Sequence, residues 1–315
     1  MQILVTGGAG FIGSHLCERL LFEGHRVTIL DSATTGRLSN LSKVKDSAHF
    51  KAFEGSILDT DVLNPLIKDA DYVFHLAAAV GVFNIVKNPL ASLLTNIRGT
   101  ENVLEAAYSS KTPVFLTSSS EVYGKNVADS LKESDDRILG SPLTLRWSYS
   151  EAKAIDESLA YAYYVERQLE TRIVRFFNTV GPRQLGAYGM VVPRFVQAAL
   201  ANEPITIYGD GKQTRSFCYV SDLVEGIYKL LHLDKNPETP INLGNPNEFT
   251  ILELAKDVIE IANSKSEIVS NPLPSDDPRQ RCPDISLAKS ILNWKPTIEL
   301  REGIEKTAAY FKQII

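Results

Sequence analysis

Short apolar segments alternate with longer amphipathic ones through the first half of the chain. Residues 2–6 have the length and composition of a buried strand, whereas residues 11–23 repeat apolar side chains at helical spacing. The same pattern predicts strands at 26–30, 50–53, 72–75, 113–117 and 171–176, and helices at 61–68, 89–108 and 149–168. Strands that alternate with helices predict a doubly wound parallel sheet with helices on both faces, an α/β fold of Rossmann-like type.

Beyond residue 177 glycine and proline interrupt the pattern more often. We predict a dinucleotide-binding domain at 1–177 and a smaller α/β substrate-binding domain at 178–315, with part of 217–244 packing back on the first domain. The smaller domain is expected over the carboxyl ends of the parallel strands, where such sheets hold ligands. Its predicted helices are 191–201, 221–232, 251–262, 286–292 and 301–314.

Charge and composition exclude several classes of protein. The 315 residues include 33 basic and 38 acidic side chains, so the chain has no cationic excess for nucleic acid. The longest apolar stretch, 73–83, is shorter than the roughly 18 residues of a membrane span. The first residues lack the basic leader of a secretory signal, and three scattered cysteines form neither a disulfide framework nor a zinc set. We therefore expect a cytoplasmic protein without a metal, acting on a small molecule.

A glycine-rich turn follows the first predicted strand. Gly7, Gly10 and Gly13 allow a tight turn and let backbone N–H groups approach a pyrophosphate at the start of the next helix. Asp31 ends the second strand 18 residues after Gly13, where a carboxylate binds ribose hydroxyls and repels a 2′-phosphate. Because strand, turn, helix and acid occur in this order, the segment predicts a dinucleotide site that prefers NAD to NADP.

Tyr149 and Lys153 are four residues apart in the predicted helix 149–168, so both lie on one helix face. A neighbouring ammonium lowers the pKa of a phenol, ordinarily about 10, and makes Tyr149 a candidate base for a hydroxyl proton. The spacing alone is common in helices; the glycine turn upstream is what favours catalysis.

Hydroxyl side chains are concentrated at 117–120, at the carboxyl end of the strand predicted at 113–117. Ser119 there can bind a substrate alcohol or carbonyl, and Glu121 places an ionisable carboxyl beside it. The alternative is a polar strand-to-loop transition with Glu121 in solvent.

At these residues the chain resembles the extended short-chain dehydrogenase/reductase superfamily of nucleotide-sugar epimerases, dehydratases and decarboxylases, over essentially its whole length. The resemblance implies bound NAD that is recycled, and Ser119 as the hydroxyl partner of Tyr149. The chain departs from the family at Ser32 and Ser56, where Asn and an adenine-contacting Asp are frequent. The cofactor-binding residues that the resemblance implies are Gly7, Gly10, Phe11, Ile12, Gly13, Asp31, Ser32, Ser56, Ile57, Leu76, Ala77, Ala78, Asn96, Tyr149 and Lys153.

The second half resembles the substrate domain of this superfamily, most closely that of UDP-glucuronate decarboxylases. Segments 175–183, 208–215 and 276–284 carry this likeness. Their amide and guanidinium donors suit a diphosphate, and the likeness implies a UDP-linked sugar. The implied substrate-binding residues are Ser119, Ser120, Asn178, Val192, Tyr208, Arg215 and Arg281, and the implied catalytic residues are Ser119, Glu121, Tyr149, Lys153 and Arg281.

Transient oxidation at sugar carbon 4 leaves three reactions open. A 4-keto uronate is a β-keto acid and loses carbon dioxide, a 4-keto hexose can be reduced on its other face to the 4-epimer, and an acid–base pair can eliminate water. Resembling dehydratases have Asp where this chain has Ser120, whereas Glu121 and Arg281 match decarboxylases. Met190 stands where decarboxylases have arginine, so a 4-epimerase acting on UDP-glucose or UDP-glucuronate stays an alternative.

Two further expectations concern an alternative class of protein and the oligomeric state. A non-catalytic NAD-binding sensor is an alternative from another class, which the retained Ser119, Tyr149 and Lys153 disfavour. The resemblance also implies a homodimer formed through a four-helix bundle of the helices at 89–108 and 149–168. Apolar side chains on these helices face either a second copy or the core; they are Leu93, Leu94, Val103, Leu104, Leu159 and Tyr163.

Overall fold

Strands and helices alternate along the first 176 residues of the computed structural model, which describes residues 1–272 and 280–314. The strands are β1 (Gln2–Thr6), β2 (Arg26–Asp31), β3 (Phe50–Glu54), β4 (Tyr72–His75), β5 (Val114–Ser119), β6 (Thr171–Phe176), β7 (Thr179–Val180), β8 (Ile205–Tyr208), β9 (Thr214–Ser216), β10 (Cys218–Tyr219), β11 (Ile241–Leu243), β12 (Glu248–Thr250) and β13 (Ile268–Asn271). The helices are α1 (Phe11–Phe22), α2 (Thr60–Lys68), α3 (Val82–Lys87), α4 (Pro89–Ser110), α5 (Ser148–Arg167), α6 (Val191–Ala201), α7 (Val220–Leu231), α8 (Ile251–Ala262), α9 (Ser286–Leu292) and α10 (Leu300–Ile314).

A seven-stranded parallel sheet in the order β3-β2-β1-β4-β5-β6-β11 forms the centre of the molecule. The chain proceeds outward from β1 to β3, then returns to β4 on the other side of β1 and proceeds outward again. This reversal leaves a crevice at the carboxyl ends of β1 and β4, which is where doubly wound sheets bind ligands. The predicted Rossmann-like α/β fold is confirmed.

Successive side chains of the central strands belong to two different cores. Ile3 and Val5 of β1 lie in the larger core with α1, whereas Leu4, between them, lies in a second core under α2, α4 and α5. Both faces of the sheet are thus covered, so its strands read as continuous apolar runs rather than as alternating ones. Each helix that the apolar spacing predicted is present, whereas α3 was not predicted.

The second half of the chain contributes to both parts of the molecule. Strand β11 pairs with β6 at the edge of the central sheet, and α7 packs against α1. Three two-stranded sheets, β7 with β10, β8 with β13 and β9 with β12, accompany α6, α8 and α10 in the described residues. Apolar periodicity did not predict these strands, because two to four residues are too few to show a period.

Within 1–272 and 280–314, no helix has both the length and the apolar character needed to cross a bilayer. The same ranges contain no group of three or more histidine, cysteine, aspartate or glutamate side chains arranged to hold a metal ion. The three cysteines are buried and unpaired.

Candidate active site

The turn between β1 and α1 forms a cradle that only glycine permits. Gly7 has a φ of +73°, and Gly10 donates its N–H to the Gly7 carbonyl at 3.1 Å. A Cβ atom on Gly13 would lie 2.2 Å from the same carbonyl oxygen. Because side chains are excluded here, a ligand can approach the backbone N–H groups at the start of α1, whose dipole favours an anion.

Asp31 ends β2 beside this turn and is 7% exposed. Its carboxylate accepts hydrogen bonds from the backbone N–H of Ala9 at 2.9 Å and of Ala33 at 2.8 Å. Each carboxylate oxygen has two acceptor sites, so capacity for hydroxyl donors remains. Glycine cradle, helix terminus and buried acid therefore fit a dinucleotide with a free 2′-hydroxyl.

The segment after β4 runs along the other side of the cradle. Leu76 donates its N–H to the Thr6 carbonyl at 3.1 Å, and a Cβ on Gly7 would lie 2.7 Å from the Ala77 nitrogen. Asn96 of α4 fixes the segment by accepting from the Ala79 N–H at 2.7 Å and donating to its carbonyl at 3.2 Å. The amide of Asn96 thus shapes the crevice through the backbone next to Ala78.

The remaining predicted cofactor residues lie around this crevice. Phe11 and Ile12 begin α1 and are half-buried, and Ile57 is buried against Gly99 of α4. The two serines that depart from the family form local turns: Ser32 Oγ is 2.9 Å from Thr34 Oγ1, and Ser56 Oγ accepts from the Leu58 N–H at 3.1 Å.

Ser119, Tyr149 and Lys153 meet at the carboxyl end of β5. Ser119 is the last residue of β5, Tyr149 lies in the first turn of α5, and Lys153 lies one turn later on that helix. The Ser119 side chain hydrogen-bonds Tyr149 and also accepts from the Glu121 N–H at 3.2 Å. The structure therefore brings together the three residues that sequence reasoning proposed for proton transfer.

Burial and charge act in opposite directions on the phenol and the ammonium. Burial raises the pKa of Tyr149 above its ordinary value, and the nearby Lys153 ammonium opposes that rise only in part. Burial is the largest influence and by itself would lower the pKa of Lys153, but the nearby Asp156, Tyr149 and Glu157 together outweigh it and leave this pKa raised, with Asp156 contributing most. Lys153 is 2% exposed and stays protonated because an anion is buried with it.

Glu121 and Arg281 form an ion pair beside this centre. Arg281 is 5% exposed, and its Nη1 contacts Glu121 Oε1 while its Nη2 donates to the Gly124 carbonyl at 3.4 Å. Burial acts to raise the pKa of Glu121, but Arg281, Arg146 and Arg215 together hold it below its usual value. Glu121 is therefore a carboxylate, not a carboxylic acid, at neutral pH.

The predicted substrate residues divide into two groups. Asn178 donates to the Ser216 carbonyl at 3.1 Å, and the Ser216 hydroxyl donates to the Arg281 carbonyl at 3.2 Å, so these segments connect to the Glu121 side of the site. Arg215 acts electrostatically on Glu121, and Ser120 is buried beside it.

Val192 and Tyr208 contact other parts of the second half. Val192 is buried in the larger core, and the Arg194 guanidinium lies 5.8 Å above the Tyr208 ring centroid. The first part of the predicted segment 276–284, up to residue 279, lies outside the described residues.

Sequence reasoning missed several buried polar residues behind the site. Asp156 accepts from Lys153 Nζ at 3.1 Å, and Glu157 forms a two-point contact with Arg175 at 2.7 and 2.9 Å. The adjacent acids at positions three and four after Lys153 were a usable signal, because both spacings return to the same helix face. His75 at the end of β4 is a buried imidazole whose Nδ1 lies 2.8 Å from Thr6 Oγ1 and whose Nε2 lies 3.1 Å from Thr100 Oγ1.

Fold and site together are those of an extended short-chain dehydrogenase/reductase. A family model described as GDP-mannose 4,6 dehydratase matches residues 4–307, and the chain belongs to this enzyme family. The family resemblance expected from the sequence is confirmed.

Individual relatives extend the comparison. The chain is 42% identical over 315 residues to a UDP-glucuronic acid decarboxylase 1 of Arabidopsis thaliana, covering all of this chain and 71% of that protein. It is 41% identical over 312 residues to the UDP-glucuronic acid decarboxylase 1 of Danio rerio, covering 99% and 73%. The crystal structure of a Bacillus cereus UDP-glucuronic acid 4-epimerase, in complex with UDP-glucuronic acid and NAD, superposes with a TM-score of 0.91 at 32% identity and covers both chains completely.

Proposed function

We propose that the crevice between β1 and β4 binds NAD. The glycine cradle receives the pyrophosphate, Asp31 the adenosine ribose, and Lys153 with Tyr149 the nicotinamide ribose. The similar Bacillus cereus epimerase, which was crystallised with NAD, supports this assignment. Bound NAD would accept a hydride from the sugar and return it, and its charged ring would add to the stabilisation of a Tyr149 phenolate.

We propose that the enzyme is a UDP-glucuronate decarboxylase that forms UDP-xylose. Tyr149 takes the proton of the sugar C4 hydroxyl, Ser119 orients that hydroxyl, and Lys153 stabilises the phenolate. With the C4 hydride transferred to bound NAD, the sugar would be a 4-keto uronate, which is a β-keto acid. Its C5–C6 bond then breaks, carbon dioxide leaves, and the electron pair that remains at C5 takes a proton before the hydride returns to C4. Tyr149 then returns its proton to the C4 oxygen.

The observation that carries this choice is the ion pair of half-buried Glu121 with buried Arg281, beside Ser119 and Tyr149. Elimination of water needs an acid at the departing hydroxyl, but Ser120 has no acidic group and Arg281 keeps Glu121 ionised. The Arg281 guanidinium is suited to a uronate carboxylate. Loss of carbon dioxide from a 4-keto uronate needs no acid for a leaving hydroxyl, so an ionised Glu121 is compatible with decarboxylation.

A UDP-sugar 4-epimerase, acting on UDP-glucose or UDP-glucuronate, is the second candidate. Met190 precedes α6 where an arginine would add a cation for the substrate, and the similar solved structure is a 4-epimerase. The first catalytic steps would be identical. Only the fate of the 4-keto sugar would differ, since the hydride would return to its opposite face.

One incubation separates the candidates. Purified protein with NAD and UDP-glucuronate is expected to yield UDP-xylose and one equivalent of carbon dioxide, measured by chromatography and gas trapping. Formation of UDP-galacturonate without carbon dioxide would replace the decarboxylase with the epimerase. Turnover of UDP-glucose to UDP-galactose would identify a 4-epimerase that acts on the neutral sugar. If no product formed from either sugar, the protein would be a non-catalytic NAD-binding sensor.

We also propose that residues 1–177 hold the cofactor and 178–315 the nucleotide sugar. Support comes from the position of the glycine cradle in β1–α1 and of Asn178, Arg215 and Arg281 in the second half. The three buried, unpaired cysteines support a reducing, cytoplasmic location.

A homodimer through α4 and α5 is a further proposal. These helices pack together, with the Tyr163 hydroxyl donating to Glu105 at 2.6 Å. Val103 and Leu104 are buried in the protomer core, but Tyr161 and Val165 of α5 are 52% and 56% exposed. Val165→Glu is expected to yield monomers in analytical ultracentrifugation, whereas Val127→Glu, at a residue 87% exposed outside these helices, should not. A monomeric wild-type protein would refute the dimer.

A further inference from the structure

A second buried carboxylate lies behind the proposed proton-transfer site. Asp156 has no exposed surface, and its Oδ2 accepts a hydrogen bond from Lys153 Nζ at 3.1 Å. Its Oδ1 forms no hydrogen bond with any of the described residues. An anion is costly to bury, so its retention at this position needs a reason beyond packing.

The reason is the ammonium next to it. Lys153 is 2% exposed, and a lone ammonium at that depth would lose its proton more readily. The two side chains lie on one face of α5, three residues apart, so the helix itself fixes the distance between them. We infer that Asp156 is a positioning residue for the reaction proposed above, because its carboxylate keeps the Lys153 ammonium charged and directed beside Tyr149.

Thr100, His75 and Thr6 lie in a row on the opposite side of Asp156. Thr100 of α4 stabilises the Asp156 carboxylate, and its hydroxyl is 3.1 Å from His75 Nε2. His75 Nδ1 is in turn 2.8 Å from Thr6 Oγ1 at the end of β1. The counter-ion is thereby attached to the two strands that border the crevice.

Other titratable groups face this pair from neighbouring elements. His75 on β4 is uncharged above acidic pH, because burial and then Lys153 lower its pKa to about 3. Glu121, in the turn after β5, is held ionised by arginines. Glu157 on α5 is paired with Arg175 of β6. Proton exchange of the Tyr149–Lys153–Asp156 group therefore governs activity between neutral and alkaline pH.

Asp156 adds negative charge beside both Tyr149 and Lys153, and it acts to raise the pKa of each. Asp156→Asn is nearly isosteric and removes that charge. Both limbs of the profile of kcat/KM against pH are expected to move down by roughly one pH unit, with KM for the nucleotide sugar changed less than about twofold. Limbs that stay in place while activity falls would overturn the inference, since loss of packing alone does not move them.

A matched control uses another buried carboxylate. Asp222 on α7 is 7% exposed and accepts hydrogen bonds from Thr297 and Ile298 at 2.8 Å, outside the proposed site. Asp222→Asn removes a carboxylate in the same conservative way. It should lower thermal stability and leave both limbs of the profile where the wild type has them.

The ionisation of Tyr149 can be measured without sugar turnover. The phenolate absorbance of Tyr149, measured without substrate as wild type minus Tyr149→Phe, should titrate at higher pH than the same difference in the Asp156→Asn background. A shift in this titration without any sugar turnover would retain the role of Asp156 and reject the decarboxylase. Turnover of UDP-glucuronate with an unshifted titration would retain the decarboxylase and reject the role of Asp156.

A second pair of variants applies if Asp156→Asn does not fold. Lys153→Met leaves Asp156 buried without its cation, whereas Lys153→Met with Asp156→Asn leaves no charge. The double variant is expected to have the higher melting temperature. A double variant no more stable than Lys153→Met would show that the two side chains are not each other's counter-ions.

Discussion

At the scale of single residues, Tyr149 combines burial with proximity to a cation. Burial makes its ionisation harder and Lys153 makes it easier, so the phenol keeps its proton in the ligand-free protein, and the positive charge of a bound nicotinamide would favour the phenolate. Its hydrogen bond to Ser119 fixes where that proton exchange happens. This arrangement suits a base that becomes a phenolate only when further positive charge is bound beside it.

Tyr149→Phe should reduce kcat by roughly 10²–10⁴-fold, since proton transfer is lost while the ring remains. Binding of the nucleotide sugar, followed by calorimetry, should be nearly unchanged. The control is Tyr164→Phe on the same helix as Tyr149. It removes an exposed hydroxyl that donates to Glu238 at 3.0 Å. Equal losses in the two variants would contradict the role of Tyr149.

Glu121 should make stability depend on acidity. The pKa of Glu121 is lower in the folded protein than in the unfolded chain. Its contribution to the free energy of unfolding is therefore complete above about pH 4.3, and it is lost as pH falls through the pKa of the folded state. Glu121→Gln leaves Arg281 buried without an anion, and at pH 7 it should cost about 2–4 kcal/mol. The difference from wild type in urea unfolding should shrink below about pH 4; a constant difference would refute the ion pair's contribution.

At the scale of elements, the β1–α1 turn depends on close contacts between backbone atoms. Gly13→Ala would place its Cβ against the Gly7 carbonyl and displace the start of α1 from the cradle. NAD binding, measured by fluorescence titration, is expected to weaken by roughly tenfold or more.

The control for this turn is Gly24→Asn. Gly24 follows α1, has a φ of +82° and has open space where a Cβ would be. Asparagine tolerates this backbone conformation, so NAD affinity should remain that of the wild type. If Gly13→Ala bound NAD as tightly as the wild type, the glycine turn would not be part of the cofactor site.

At the scale of the whole molecule, Asn242 joins three distant segments. It lies on β11 with no exposed surface, accepts from the Tyr123 hydroxyl at 2.8 Å, and donates to the carbonyls of Leu131 at 2.9 Å and Asp284 at 3.2 Å. Asp284 lies three residues after Arg281, and Leu131 lies ten residues after Glu121. Asn242 therefore supports the substrate side of the site without touching it.

Asn242→Ala should destabilise the protein by about 2–4 kcal/mol, because it leaves buried donors and acceptors without partners. The measurement is urea unfolding, with kcat/KM recorded in parallel. Asn102→Ala, which removes a single half-buried bond of 3.1 Å to the Ile57 carbonyl, is the control and should cost about 1 kcal/mol. If both variants lost a similar free energy of unfolding, the hydrogen bonds of Asn242 would not stabilise the contact between the three segments.

Much of the fold and part of the site could be predicted from local order along the chain. Apolar patterns along the chain predicted strands β1 to β6 of the central sheet and the helices that cover it except α3, because burial imposes a pattern on neighbouring residues. Strand β11 is too short to show such a pattern. Glycine spacing in the β1–α1 turn and the four-residue separation of Tyr149 and Lys153 are local too, since one turn and one helix determine them.

The tertiary structure alone decided which distant charges share a buried space. Glu121 and Arg281 are 160 residues apart in the chain, and no local period joins them. The burial of Asp156, and with it the charge state of Lys153, depends on α4, β1 and β4 packing around α5. The strength of these interactions depends on the exclusion of water, and water is excluded only when segments from the whole chain come together.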